Sequence, residues 1–352
     1  MSMCDSIIKY IEEATSNHGF ACGHWGGNGA IEALEHKLCG LYGAKYALCV
    51  DSATNGLLYL LLATGLQRSE ILTTSLSFGG TIAGALSLGC TLAFADVDNT
   101  LTLSPNSVQT ILRFQPKTKA IIAVDYAGNP HHMQEIHRIC GEYGLWHFVD
   151  AAQSMGAQYP CHDIADYCDA AVLSFGAGKT VFSGGEGGAI ITNNMELYQR
   201  LLSACQHGHR QERDLGIGMS HDFALNGRIH PIASILANES FESGIMTVQS
   251  KRESYLNALA SLRSFKSFLP IIKQENSSFY HCPIVVKDDK LFNLEFAESE
   301  LRKNYYYSKA ALTSLPEQLR RIGMSRRIRA SDSFFLDGII DKLYFLHMRT
   351  KL

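Results

Sequence analysis

The chain has 352 residues and a formal net charge of −3, and 46% of its residues are hydrophobic and 18% charged. This length allows one large domain with a smaller companion, and the balance of apolar and charged residues is that of a globular protein. The small net charge gives no electrostatic reason to expect a nucleic acid as a partner. No apolar run is long enough to span a membrane, so we expect no membrane association.

The N-terminal stretch MSMCDSIIKYIEEATSNHG carries acidic residues inside an apolar pattern, which predicts an amphipathic helix rather than a signal peptide. The ten cysteines include no Cys-x-x-Cys pair. Their pattern is therefore typical of reduced thiols, and not of a disulfide framework or a zinc site. Both features predict a cytoplasmic protein.

From Tyr46 onward, short β-rich segments alternate with helical ones. The strand candidates are YALCV, EILTTS, TLAFADV, KAIIAVDYA, LWHFVDAA, AAVLSFG and GAIITN. The alternation predicts an α/β domain with a mostly parallel seven-stranded sheet. After Ser234 a long helical stretch and a less regular tail follow. We therefore expect a large α/β domain over residues 1–238 and a smaller α+β domain over residues 239–352.

A single lysine, Lys179, lies in the glycine-rich segment SFGAGKTVFSGGEGGAI, and Asp150 ends a predicted strand 29 residues before it. Because parallel strands end at the same edge of a sheet, the two side chains can face one ligand. A lysine that forms a Schiff base and a carboxylate that holds a pyridinium proton are the groups that pyridoxal phosphate chemistry needs. Taken alone, the spacing is explained nearly as often by a buried aspartate that caps a turn.

A turn of small polar residues joins a strand to an apolar helix in YALCVDSATNGLLYLLLATGL. The backbone N–H groups of Ala53 and Thr54, with the Thr54 hydroxyl, would make an anion seat that the helix dipole favours. An ordinary N-cap supplied by Ser52 or Thr54 explains the same residues. This segment by itself leaves both interpretations open.

In combination, these segments resemble the DegT/DnrJ/StrS sugar aminotransferases, which are pyridoxal-phosphate enzymes of fold type I, the aspartate aminotransferase fold. The likeness runs in order from about Gly26 to Ser240, roughly two thirds of the chain. It is carried by GAIEALEHKLCGLYGAKYALCVDSAT, TTSLSFGGTIAGALSLGCTLAFADVD, VDYAGNP, HFVDAAQSMGA, SFGAGKTVFSGGEGGAIIT, CQHGH and LNGRIHPIASILA.

The resemblance implies that Lys179 is the Schiff-base lysine and also moves the proton between the substrate and the cofactor. It implies that Asp150 pairs with the pyridine nitrogen and that Gln153 contacts the side of the ring that carries the hydroxyl. Phe78 occupies the aromatic position that stacks on the ring.

The resemblance also assigns the phosphate of the cofactor to Ala53, Thr54 and Ser174. Asn226 matches an asparagine that the family extends into the phosphate site of the neighbouring subunit. A homodimer with shared active sites is therefore expected.

Three features depart from the family pattern. Asp125 stands where the family usually has histidine, so a polar substrate contact is expected to differ there. His207 and His209 could be metal ligands, but the glycine between them gives no fixed chelating face, and we expect no metal. The C-terminal region lacks the family's substrate-closing pattern, and its five arginines between Arg320 and Arg329 fit either a phosphate clamp or a solvated or subunit-facing helix.

These observations predict an aminotransferase that moves an amino group from glutamate or glutamine to a keto sugar, in particular a nucleotide-linked one. An alternative is an enzyme for an aminocyclitol or another non-sugar ketone, which Asp125 and the short C-terminal region favour slightly. Another alternative is a pyridoxal-phosphate-binding regulator without turnover, against which Lys179, Asp150 and Phe78 argue. The family's sugar dehydratases lack the Schiff-base lysine and resemble this chain less.

Overall fold

Two β-sheets organise the protein. The computed structural model describes residues 3–16, 27–159, 164–206, 208–216 and 224–349. Within these residues one sheet has eight strands and the other has four. The larger sheet lies in the part of the chain that carries the sequence motifs.

The larger sheet is mostly parallel. Its strands are β1 (Tyr46–Val50), β2 (Glu70–Thr74), β3 (Thr91–Ala95), β4 (Thr118–Val124), β5 (Trp146–Asp150), β6 (Ala170–Ser174), β7 (Gly188–Thr192) and β11 (Ile328–Ser331). They lie in the order β1-β7-β6-β5-β4-β2-β3-β11. Strand β7 runs antiparallel to β1 and β6, and the other neighbours are parallel. The carboxyl ends of the parallel strands therefore meet at one edge.

All seven predicted strands are present, which confirms the predicted fold class, but the sheet has an eighth strand. Strand β11 comes from the C-terminal region and pairs with β3. Its segment IRAS is short, lies among arginines and has an irregular register with β3. For these reasons its sequence carries no strong β-pattern.

Alternating residues of each strand pack on opposite faces of the larger sheet. In β7, Ile190 belongs to the core on one face, while Ala189 and Ile191 belong to the core on the other. This follows from the period of two along a strand, and because helices cover both faces, every residue of β7 is buried.

Helices cover the strands of both sheets. They are α1 (Met3–Ser16), α2 (Ala30–Tyr42), α3 (Ala53–Ala63), α4 (Gly80–Ser87), α5 (Pro105–Phe114), α6 (Met133–Tyr143), α7 (Met195–Cys205), α8 (Gly208–Leu215), α9 (Pro231–Leu262), α10 (Asp289–Glu298), α11 (Leu315–Arg321) and α12 (Phe334–Ile339). None of the helices in the described residues is long and apolar enough to cross a membrane.

The smaller sheet is antiparallel and follows the longest helix. Its strands are β8 (Phe268–Leu269), β9 (Cys282–Val286), β10 (Tyr305–Lys309) and β12 (Leu343–Met348), in the order β10-β12-β9-β8. Helix α9 packs on α2 near its start and contributes Tyr255 and Leu262 to the core of the smaller sheet near its end. The expected boundary between residues 238 and 239 falls inside α9, and the division into two domains stays a prediction.

A buried ion pair fastens α8 to the larger sheet. The guanidinium of Arg210, on α8, donates to both carboxylate oxygens of Glu35 at 3.0 and 2.7 Å and to Asp214 at 3.0 Å. Glu35 also accepts the N–H of Cys49 in β1 at 2.7 Å. The side chain of Arg210 is only 1% exposed, so both charges depend on each other for compensation.

We expect Arg210→Met to lower the free energy of unfolding by about 3–5 kcal/mol, because it leaves Glu35 buried without its partner. Arg200→Met, which removes the exposed pair with Glu196 on α7, is the matched control and should cost at most about 0.5 kcal/mol. Denaturant unfolding of the three proteins checks this. Equal losses of unfolding free energy in the two variants would show that the Arg210–Glu35 pair does not stabilise the fold.

Candidate active site

A cleft of about 410 Å³ opens at the carboxyl edge of the larger sheet. Its lining comes from the segments that follow β1, β2, β5 and β6, together with residues 280 and 281 from the C-terminal region. It includes seven of the eight predicted site residues: Ala53, Thr54, Phe78, Asp150, Gln153, Ser174 and Lys179. The parallel arrangement thus brings together residues that are up to 126 positions apart, from Ala53 to Lys179.

Asp150, the last residue of β5, is a carboxylate largely removed from water. It is 8% exposed, and burial raises its pKa from the ordinary value. Hydrogen bonds from the Thr81 hydroxyl at 2.7 Å and the Ala152 N–H at 3.2 Å lower that pKa again, as does the charge of Lys179. A cationic group in the cleft would find in Asp150 a preformed counter-charge.

Thr81 is a site residue that the sequence did not reveal. It lies in the first turn of α4, and its hydroxyl donates to Asp150 while it lies 2.7 Å from the Ser77 hydroxyl. Because the Thr81 proton goes to Asp150, Ser77 is the donor to Thr81. The available signal was a threonine in the first turn of a mostly apolar helical segment, three residues after Phe78.

The start of α3 offers backbone donors to the cleft. Ser52 is the N-cap, since its hydroxyl accepts the N–H of Asn55 at 3.2 Å. Within the described residues, the N–H groups of Ala53 and Thr54 have no backbone acceptor, and the Thr54 hydroxyl has no hydrogen bond. Capping therefore does not occupy Thr54, and these three donors are available to an anion.

Two glycines, Gly188 and Gly80, allow close packing around the start of α3. A Cβ atom on Gly188 would lie 2.6 Å from the backbone nitrogen of Ala53. A Cβ atom on Gly80 would lie 2.8 Å from the Thr54 hydroxyl oxygen and 3.1 Å from a ring carbon of Phe78. Any larger residue at either position would displace the start of α3 or the Phe78 ring, which is 75% exposed beside it.

Lys179 lies in the loop between β6 and β7 with its ammonium over an aromatic ring. Its Nζ atom is 4.4 Å from the centroid of the Tyr280 ring, a cation–π contact. Burial lowers the pKa of His281 to about 4, and the charges of His347 and Lys179 act in the same direction. His281 is therefore neutral at neutral pH and adds no positive charge beside Lys179.

Tyr280 and His281 were missed by the sequence analysis because they belong to the C-terminal region, where no familiar motif was found. They reach the cleft only because residues 276–281 pair with the turns after β4 and β5. The N–H groups of Ser278 and His281 donate to the carbonyls of Gly128 and Ala127. This contact between distant parts of the chain leaves no local pattern.

Gln153 follows β5 and has a defined orientation. Its side-chain oxygen accepts the N–H of Ala127 at 2.7 Å, and because a backbone N–H can only donate, that atom must be the amide oxygen. The amide nitrogen, with two protons, remains for the cleft. Gln153 is therefore a hydrogen-bond donor to any ligand there.

Asp125 does not line the cleft. It is completely buried, and its carboxylate accepts hydrogen bonds from the backbone and ring of His131 and from the hydroxyls of Ser154 and Tyr159. This network joins the turns after β4 and β5. The charge of Asp125 helps to raise the pKa of Asp150, but its side chain makes no direct contact in the cleft. The difference from the family therefore provides no substrate contact that would favour a non-sugar ketone.

Of the remaining sequence candidates, those that the structure describes do not line the cleft. Asn226 is exposed and does not line it. His207 and the side chain of His209 lie outside the described residues. None of the five C-terminal arginines lines the cleft: Arg320 and Arg321 pair with a glutamate of α11, and Arg327 donates to the carbonyls of two residues before β3.

The donor set fits pyridoxal phosphate. A helix start with two backbone N–H groups and a hydroxyl suits a phosphate, and a desolvated carboxylate suits a protonated ring nitrogen. The exposed face of Phe78 suits an electron-poor ring. Lys179 lines the same cleft and supplies the amine.

We expect Asp150→Asn to stabilise the cofactor-free protein at pH 7.5. The raised pKa of Asp150 means that the folded state gains stability from this group at low pH and loses it as the pH rises through the folded-state pKa. The melting temperature of Asp150→Asn minus that of the wild type, measured from pH 4 to pH 8, should therefore increase with pH. Glu186→Gln removes an exposed carboxylate of the same cleft and is the control. A difference in melting temperature that does not change with pH would contradict the raised pKa of Asp150.

The comparisons with known proteins agree with this geometry. A model of the DegT/DnrJ/EryC1/StrS aminotransferase family matches residues 7–333. The chain is 28% identical over 258 residues to the UDP-4-amino-4,6-dideoxy-N-acetyl-beta-L-altrosamine transaminase of Helicobacter pylori, a match that covers 72% of this chain and 68% of that protein.

Two solved structures show the same fold. Helicobacter pylori PseC, an aminotransferase involved in the biosynthesis of pseudoaminic acid, superposes with a TM-score of 0.75 and 24% identity, over 91% of this chain and 86% of that one. The GDP-4-keto-6-deoxy-D-mannose-3-dehydratase of E. coli with bound hydrated PLP gives a TM-score of 0.76 and 18% identity, over 97% and 92%. The chain belongs to the DegT/DnrJ/EryC1/StrS aminotransferase family of pyridoxal-phosphate-dependent enzymes.

Proposed function

We propose that this aminotransferase moves an amino group from glutamate or glutamine to the keto carbon of a nucleotide-linked sugar. The observation that carries the proposal is the single cleft in which Lys179, Asp150 and the start of α3 meet. The transaminase of Helicobacter pylori, whose name specifies a UDP-linked amino sugar, supports this substrate class.

Seven residues would hold the cofactor. Pyridoxal phosphate supplies, when bound, an aldehyde that takes up the amino group and a ring that withdraws electrons from the carbon being deprotonated. We assign the phosphate to Ala53, Thr54 and Ser174, and the ring to Phe78 and Gln153. Gln153 acts as a donor there, because its amide oxygen is already used by Ala127.

Asp150 and Lys179 would carry the catalytic steps. Asp150 would hold the proton on the ring nitrogen, since its buried negative charge is compensated best by a cation. Lys179 would hold the cofactor covalently, and its Nζ atom would remove the proton from the donor Cα. The cation–π contact with Tyr280 positions the Lys179 side chain at the cleft.

We also propose a homodimer in which Asn226 completes the phosphate site of the partner. The position of Asn226, exposed and outside the cleft of its own chain, supports this assignment. A cytoplasmic location is supported by the eight cysteines of the described residues, which are all free thiols and of which six are buried.

Activity is tested with UDP-4-amino-4,6-dideoxy-N-acetyl-beta-L-altrosamine and 2-oxoglutarate, with glutamate formation as the readout. We expect wild-type turnover, and a loss of at least about 10²–10⁴-fold in Lys179→Ala because a positioned proton-transfer group is removed. Lys290→Ala, an exposed lysine on α10, is the control and should retain full activity. Turnover of an aminocyclitol but of no amino sugar would contradict the proposed substrate, and full activity of Lys179→Ala would contradict the proposed mechanism.

The cofactor seat is tested by the neighbouring glycines Gly79 and Gly80. In Gly80→Ala the new methyl group would meet the Thr54 hydroxyl and the Phe78 ring, whereas in Gly79→Ala it meets no atom within 4 Å. We expect Gly80→Ala to weaken pyridoxal phosphate binding by about 10-fold or more, roughly the effect of losing one charge-assisted hydrogen bond, and Gly79→Ala to change it little. Equal affinities in fluorescence titration would place the phosphate elsewhere.

A further inference from the structure

A second cavity adjoins the cofactor cleft. It has a volume of about 270 Å³ and lies among α9, the loop after Lys179 and residues 278–280. Lys179 and Tyr280 line both spaces. A ligand in this second cavity therefore touches the residue at the centre of the chemistry.

The lining of this cavity is rich in hydroxyl groups. Ser243 and Thr247 lie four residues apart on α9 and so share one face of the helix, and Ser278 also lines the cavity. Each of these hydroxyls already donates its proton to a backbone carbonyl: Ser243 to Ser240 at 3.2 Å, Thr247 to Ser243 at 2.7 Å and Ser278 to Gln153 at 2.7 Å. In this arrangement their oxygens present lone pairs that accept hydrogen bonds from a ligand.

The charges and rings of the lining narrow the class of ligand further. Lys251 is the only charged lining residue besides Lys179, and no carboxylate lines this cavity in the described part of the chain. Hydroxyl or amide N–H groups of a ligand would pair with the lone pairs of these three hydroxyl oxygens. The rings of Phe182 and Tyr280 offer apolar surface to C–H groups. This combination of hydroxyl oxygens and aromatic rings suits a sugar-like ring that carries several hydrogen-bond donors.

Helix α9 is held closely against the lysine loop. A Cβ atom on Gly244 would lie 2.2 Å from the carbonyl oxygen of Thr180, the residue after Lys179. This contact is possible only with glycine at 244. It fixes the hydroxyl face of α9 relative to Lys179, so that a group bound to Thr247 has a defined position with respect to the reacting amine.

We propose that the second cavity binds the sugar ring of the keto substrate, with ring hydroxyl or acetamido N–H groups donating to Ser243, Thr247 and Ser278. The assignment rests on the proposed function and names the part of the site that would recognise the sugar. With a volume of about 270 Å³, the cavity has room for one sugar ring.

The test uses Thr247→Val, which keeps the shape of the side chain and removes its oxygen. Its matched control is Ser250→Ala on the same helix: the Ser250 hydroxyl also donates to a backbone carbonyl, that of Thr247, but Ser250 does not line the cavity. The half-reactions of the holoenzyme with UDP-4-amino-4,6-dideoxy-N-acetyl-beta-L-altrosamine and with glutamate are followed separately by cofactor absorbance.

We expect Thr247→Val to raise the apparent Kd for the amino sugar by about 3- to 10-fold, the effect of one lost hydrogen bond. The glutamate half-reaction should be unchanged, and Ser250→Ala should match wild type in both. A second variant, Ser243→Phe, fills the cavity from the exposed face of α9 and should weaken amino sugar binding more strongly, again without an effect on glutamate.

Unchanged amino sugar affinity in both Thr247→Val and Ser243→Phe would overturn the assignment. An effect on the glutamate half-reaction instead would also overturn it, because the cavity would then bind the amino donor. A wild-type enzyme that reacts with glutamate but with no amino sugar rejects the proposed substrate itself, which distinguishes failure of the proposed function from failure of the cavity assignment.

Discussion

The burial of a single negative charge at the end of β5 is the constraint on which the rest of the site depends. Asp150 has lost most of its contact with water, and burial disfavours its ionised form. The protein offsets part of this cost with the Thr81 hydroxyl, the Ala152 N–H and the charge of Lys179. The part of this cost that is not offset makes the cleft favourable for a cationic ring. The cleft therefore suits the protonated form of pyridoxal phosphate.

The same edge of the larger sheet also carries a partial positive charge, at the start of α3. The start of α3 presents backbone N–H groups, and the helix dipole adds a partial positive charge there. Gly188 and Gly80 let this helix start and the Phe78 ring pack closely. A ligand with a cationic ring and an anionic phosphate therefore meets complementary charge at both ends, and one sheet supports both ends.

Much of this arrangement could be predicted because it is local in sequence. Asp150, Lys179 and the Ser52–Thr54 turn each follow a strand, and parallel strands end together, so their convergence follows from the strand pattern. Whether Ser52 or Thr54 caps α3 was not predictable, because either hydroxyl can reach the same N–H groups. The structure assigns the cap to Ser52.

The contributions that the sequence did not reveal depend on contacts between distant segments. Tyr280 and His281 reach the cleft through pairing of residues 276–281 with the turn after β4. Strand β11 joins the larger sheet from the C-terminal region. Asp125 illustrates the converse: its sequence position suggested a substrate contact, but its partners in the turn after β5 hold it inside the protein.

The second cavity extends this account from the cofactor to the substrate. Lys179 and Tyr280 line both a space suited to an aromatic cation and the adjoining space suited to a polyhydroxylated ring. The large and small sheets both contribute to this shared lining, since Lys179 follows β6 and Tyr280 precedes β9. Specificity for the ketone would then reside in α9, apart from the residues that hold the cofactor.

The central claim is that the cofactor is joined to the lysine that shares its cleft with Asp150. Borohydride reduction of the holoprotein, followed by protease digestion and mass spectrometry of the peptides, tests it most directly. The account predicts one pyridoxyl-modified peptide, which contains Lys179. Modification of a different lysine, or an unmodified protein at saturating pyridoxal phosphate, would contradict it.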